Sequence, residues 1–189
     1  MFFLSEPDDA EIRATLEGLA DADFTYPHVG ATRDDPTSGP PGFHLDRYGA
    51  ELGRGRGTFA RAAAALKRLA NYPPSFTRVV RLPGELAEGA LFATVARHLG
   101  FASVHPCRVI YTIDAPDAFG FGFGTLPGHA ESGEERFLVT IDDDVVRYDV
   151  RAFSRPTGLL PRLGAPITRR YQVRFQRETL DAMRRHAGG

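Results

Sequence analysis

Apolar residues recur along this chain in two alternating periods, and the switches between them divide it into elements. Ile12, Leu16 and Leu19 fall on one helical stripe behind acidic residues that suit a first turn, which predicts a short helix within residues 5–22. Proline, glycine and small polar residues then crowd Thr32 to Gly42, predicting an exposed irregular loop. Alternation over 43–53 reads as a strand. After Gly53, Gly55 and Gly57, the spacing of Phe59, Ala62, Leu66 and Leu69 predicts a helix that Pro73 and Pro74 stop. Residues 76–82, 105–116 and 117–126 read as strands, and 135–144 with 145–154 as a hairpin turning at Asp142 to Asp144. From about Ile167 to His186, Ile167, Tyr171, Phe175 and Met183 share one face and arginines crowd the other, predicting an amphipathic closing helix. The window 85–100 fits a helix by propensity and a strand by alternation.

The order is strand, helix, a run of antiparallel strands and one long last helix. It resembles the helix-grip fold of START lipid-transfer domains, the major birch-pollen allergen and polyketide cyclases. The resemblance implies an α+β architecture with a curved antiparallel sheet of about six or seven strands wrapped around the C-terminal helix, and a cavity between them. On that resemblance, residues 90–99 are a strand against their propensity. The stretches "FTYPHVGAT" (24–32), "LGRGRGTFARAAAAL" (52–66), "CRVIYTID" (107–114), "FGFGTLPGHAESGEERF" (121–137) and "SRP" (154–156) resemble those of a bacterial and plant family of domains of unknown function, number nineteen-ninety. The expected organisation is a peripheral helical segment over 1–23 and a single helix-grip domain over 24–189.

Composition narrows the function classes. A chain of 189 residues, 42% hydrophobic and 25% charged, suits one domain with its own core. A formal charge of −1 supplies no global field for nucleic acid or anionic lipid, so no nucleic-acid partner is expected. The single cysteine, Cys107, excludes an internal disulfide and a multi-cysteine metal site, which fits a cytoplasmic location. No apolar run reaches the twenty residues of a transmembrane helix, and no cofactor is implied.

The candidate chemistry lies in residues 121–137. Strand alternation puts Glu135 on one face with Phe137 and Val139, pointing inward, and Glu134 on the other with Arg136, pointing outward. An inward carboxylate needs a partner or a raised pKa; Arg108, Tyr111, His129 and Tyr148 are the candidates. His129 and Glu135 then hold a ligand head group, work as an acid–base pair, or simply brace the hairpin. Zinc would take His129 and Glu131 or Glu135 with His28 or His105, but no motif fixes a third ligand and no metal is expected. Phe119, Phe121 and Phe123 alternate with glycines, so aromatics line one sheet face and bare backbone the other. "GRGRG" (53–57) lacks the lysine and hydroxyl of a phosphate loop and reads as a turn. Arg162, Arg169, Arg170, Arg174 and Arg177, interleaved with Glu178 and Asp181, read as a solvated helix face.

The reading is a carrier or sensor of a small hydrophobic ligand, with Tyr111, Phe121, Phe123, His129, Glu135, Tyr148, Tyr171 and Phe175 lining its site. The alternatives are a polyketide-cyclase-like enzyme using His129 and Glu135, and an envelope-associated protein using the basic last helix.

Overall fold

A computed structural model describes residues 1–34, 38–98, 100–157 and 165–188, without the side chains of 165–169 and 171. Among the described residues, eight strands and three helices follow in the order β1 (Phe2–Phe3), α1 (Asp9–Gly18), β2 (His44–Arg54), α2 (Arg56–Lys67), β3 (Thr77–Arg81), β4 (Leu91–His98), β5 (Phe101–Ala115), β6 (Ala118–Thr125), β7 (Glu131–Asp142), β8 (Val145–Pro156) and α3 (Ala165–Gly188). Every pairing is antiparallel, in the order β2-β8-β7-β6-β5-β4-β3, with β1 added to β5 beyond the end of β6.

Neighbouring strands are joined mostly by tight turns, because antiparallel strands need no crossover. Between β7 and β8 the turn is Asp143-Asp144, both at positive φ (46° and 66°), the backbone twist that a two-residue hairpin favours. The β4 segment is a strand although its alanines favour helix. It pairs in register with β3 on one side and β5 on the other, and buries Leu91, Phe92, Ala93 and Val95 across both faces. Tertiary pairing overrides local propensity there.

The sheet curves, and its concave face carries the main core. Phe119, Phe121 and Phe123 meet Phe137, Val139, Tyr148 and Val150, and α2 closes over them through Ala62, Ala65 and Leu66. Helix α3 lies beside α2 and β2, burying Met183 and Ala187, and Arg61 of α2 donates to the Ala187 carbonyl (2.9 Å). The α2 helix ends at Lys67, before the two prolines, because Leu69 takes a left-handed conformation (φ 57°) that turns Asn71 and Tyr72 inward. The glycine run before it is a turn: Gly53 and Gly55 sit at positive φ, and the Gly55 amide donates to the Asp144 carbonyl (2.9 Å).

The convex face is covered as well. Asp8 caps α1 in a reciprocal capping box with Glu11, and the helix lays Ile12 and Leu16 against Val80, Leu91, Ala93, Val95 and Val104 in a second core. Residues 24–33 run as a strap across β6 and β7. Glu134, expected to point outward, does take that face but is only 2% exposed, because the strap closes over it. Its carboxylate accepts from the Tyr26 hydroxyl (2.9 Å), the Gly30 amide (2.7 Å), and both the amide (2.8 Å) and hydroxyl of Thr32. Thr32, expected in an exposed loop, is fully buried for the same reason.

Candidate functional site

Between the concave face and α3 lies an open cavity of about 900 Å³. Its walls follow from strand alternation. On β4 and β5, Thr94, Ala96, His105 and Cys107 point in; on β7 and β8, Glu135, Ala152 and Ser154 do. Phe123 from β6, Tyr48 from β2, Tyr72 and Phe76 from the segment after α2, and Phe175 from α3 supply aromatic surface, with Tyr72 and Phe175 in ring contact at 5.6 Å.

Glu135 is the polar centre of one end. It faces Ala152 and Phe123 across its neighbouring strands and receives one long hydrogen bond, from the Tyr48 hydroxyl (3.4 Å). Burial raises its pKa to about 8, reinforced by the carboxylates of Glu131 and Asp46 and opposed by the Tyr48 bond, so it holds a proton at neutral pH. Glu131 accepts from the Gln172 side-chain amide (2.5 Å), and Asp46 accepts from Gln176 (3.4 Å) and lies 3.5 Å from His44. Two glutamines of α3 thus clasp the acidic end of the sheet.

The other polar group is a row of imidazoles. Ser103 Oγ sits 2.8 Å from Nε2 of both His98 and His105, and the His105 ring lies 4.8 Å from that of His129. His129 Nδ1 accepts from the Glu131 amide (2.9 Å), which fixes the neutral tautomer with its proton on Nε2. Burial pulls the His129 pKa down to about 4 and that of His105 well below the usual imidazole value, so both rings are neutral at pH 7.

The sequence-derived residues separate into three groups. Phe123, His129, Glu135 and Phe175 line the cavity together. Phe121 and Tyr148 lie deeper, in the core behind it, where the Tyr148 hydroxyl meets Asn71 and Thr179 (both 3.3 Å). Tyr111 is on the opposite face. A bulge between Val109 and Tyr111 inserts one residue into β5 and reverses the alternation that would have turned Tyr111 inward. Its ring lies over Gly122, where a Cβ would collide with it, and its hydroxyl meets Thr32 (2.8 Å). The Tyr171 side chain lies outside the described residues.

The expected partners of Glu135 are corrected too. Arg108 points away from the cavity and donates to the carbonyls of Leu19 (2.8 Å) and Ala20 (2.6 Å), and Tyr48, a residue not anticipated, takes its place. No cluster of three metal-ligating side chains occurs among the described residues, and His28 packs against Phe43 rather than near His129. Asp46, Tyr48, Tyr72, His98 and Ser103 were missed because they reach the cavity from distant parts of the chain. Only the spacing of His98, Ser103 and His105 on two hairpin strands carried a local signal.

Comparison with known proteins agrees with the fold. A family described as "Domain of unknown function (DUF1990)" matches residues 25–182. A Deinococcus radiodurans protein is 32% identical over 202 residues, covering 100% of both chains. Among solved structures, Ara h 8.0201 superposes with a TM-score of 0.51 at 11% identity, covering 77% of this chain and 98% of its own. The Zhui aromatase/cyclase from Streptomyces gives 0.54 at 16% identity, covering 77% and 94%. The shared fold is the helix-grip one.

Proposed function

This chain belongs to the DUF1990 family, and from that premise we propose that it is a binding protein, a carrier or sensor that takes a small hydrophobic ligand into the cavity between sheet and α3. The observation that carries the reading is the cavity itself. A space of about 900 Å³ is the size of small-molecule sites, and it combines aromatic walls with a few convergent polar groups. Removing the apolar surface of a ligand from water at roughly 25 cal/mol per Å² drives entry, while Glu135, Tyr48 and the His105–His129 pair orient a polar end. No helix among the described residues is long and apolar enough to cross a membrane, and a cytoplasmic carrier is the form proposed.

The test is native mass spectrometry of protein purified without denaturation, beside an Ala152→Phe variant that fills the cavity opposite Glu135. A small hydrophobic molecule held by the parent and lost from the variant is expected. Equal retention by both, or no binding of any apolar probe by the parent, overturns the proposal.

One observation favours a second reading, a cyclase-like enzyme. A carboxyl with a pKa of about 8 beside a ligand cavity is suited to general acid work at neutral pH. Turnover of a carbonyl compound that disappears in Glu135→Gln while ligand affinity persists would replace the carrier with the enzyme.

A further inference from the structure

We propose that the cavity selects ligands carrying a protonated amine on an apolar body, with Glu135 as the counter-charge. This rests on the binding reading above and narrows its ligand. The chain has 23 lysines and arginines, yet among the described lining residues there is no Lys or Arg. The charged side chains that face the cavity near its polar end are carboxylates, Asp46 from β2 and Glu131 and Glu135 from β7, while the Met1 ammonium, whose charge reaches His105 and His129, is held by the Val104 and Gly128 carbonyls. The remaining lining residue with a carboxylate, Glu134, turns that group to the opposite face, where the strap engages it. A carboxylate or phosphate head would therefore meet like charge and neutral imidazoles. An ammonium would meet acceptors.

Glu131 accepts from Gln172 at 2.5 Å, and Asp46 accepts from Gln176 at 3.4 Å and also faces His44 at 3.5 Å, whereas Glu135 accepts, among the described residues, one 3.4 Å bond from Tyr48. An ionised carboxylate offers about four acceptor sites, so Glu135 has the largest reserve for an N–H donor. The rings of Tyr48, Tyr72 and Phe175 border the same end, and aromatic faces attract cations.

Binding must also move a proton. Free Glu135 is protonated at neutral pH; an ammonium beside it favours the carboxylate, so the carboxyl O–H bond breaks and one proton leaves to solvent for each amine bound. The groups around Glu135 are Asp46 and Tyr48 on β2 with His44 beyond, Glu131 on β7, Cys107 on β5, Tyr148 on β8, Tyr72 after α2, and Gln172 and Gln176 on α3. Burial pushes the Tyr48, Tyr72, Tyr148 and Cys107 values up, away from neutrality, and His129 titrates near 4.

Decylamine, decanol and decanoate share one chain and differ in head group. Calorimetric titration of each into the purified protein, at pH 6.5 and 8.5, tests the proposal. Decylamine should bind at least tenfold tighter than the other two at pH 8.5. Its affinity should rise about twentyfold from pH 6.5 to 8.5 as Glu135 ionises, while that of decanol stays level. Glu135→Gln should keep decanol binding and lose both the amine preference and its pH dependence. Should that variant fail to fold, the parent still decides: in buffers of different ionisation enthalpy at pH 7, close to one proton should be released per decylamine. Decanol or decanoate binding as tightly as decylamine, no proton release, or a preference that survives Glu135→Gln each overturns the amine assignment and leaves the cavity reading standing. If none of the three binds, both fall.

Discussion

Glu134 and Glu135 are neighbours with opposite energetics, and Glu134→Gln is the sharper test of how the strap is held. The substitution keeps the shape and replaces one oxygen by an NH2 group. Hydroxyls can reverse roles, so Tyr26 or Thr32 Oγ1 can accept from that NH2. Backbone amides cannot, and each carboxylate oxygen accepts from one of them: the Thr32 amide on one, the Gly30 amide on the other. Whichever way the new amide points, a backbone N–H is left facing another donor. One charge-assisted bond is lost, at about 1.5–3 kcal/mol, and one buried N–H is stranded, at about 1–3 kcal/mol. The expected loss is about 3–5 kcal/mol, a large part of the roughly 5–15 kcal/mol of a typical domain. Urea denaturation measures the loss, and hydrogen exchange at Gly30 and Thr32 locates it. A loss under about 1 kcal/mol, with those two amides still protected, would refute the reasoning.

Glu135 should behave the other way. Its folded pKa, about 8, lies above the unfolded value, so the folded state holds a proton that the unfolded state releases, and stability falls as pH rises from about 4.5 to 8, at up to about 1.4 kcal/mol per pH unit. In Glu135→Gln, denaturation midpoints at pH 5 and 8 should differ less than in the parent; an unchanged slope means another group is responsible. The depressed His129 value works in the acid range: the unfolded imidazole takes a proton below about 6.5 that the folded one refuses until about 4, so stability drops across that interval. Its ring carbon resonance should stay flat from pH 8 to 5, and a midpoint near 6.5 would show an open, solvated ring. Gly122→Ala drives a Cβ into the Tyr111 ring and should cost about 1–3 kcal/mol by thermal unfolding, whereas Gly18→Ala, with open space around it, should cost nothing measurable.

Much of the frame could be read from periodicity, because six of the seven longer strands and the three described helices carry the spacing of their element. The β4 strand could not, since its alanines favour helix and its identity is set by partners on both sides. Tyr111 was misplaced by a single inserted residue, which no local pattern announces. Glu134 was misjudged because alternation tells which face a side chain takes, and says nothing of whether a strap from a hundred residues earlier covers that face. The Glu135 environment needed Tyr48 and Gln172, both remote in sequence, whereas the inward direction of Glu135 followed from Phe137 and Val139 beside it.

The chain contains no tryptophan and six tyrosines. Tyr48 and Tyr72 border the cavity, Tyr148 lies just behind it, and Tyr26, within the strap, and Tyr111, beneath it, lie on the far side of the sheet. The intrinsic ultraviolet emission of the protein therefore comes from phenols alone, and a guest that displaces water from Tyr48 and Tyr72 alters the light from those two. Occupancy can then be followed without a dye, and a Tyr48→Phe, Tyr72→Phe pair would silence that optical report while leaving the phenols on the opposite face glowing as an internal reference.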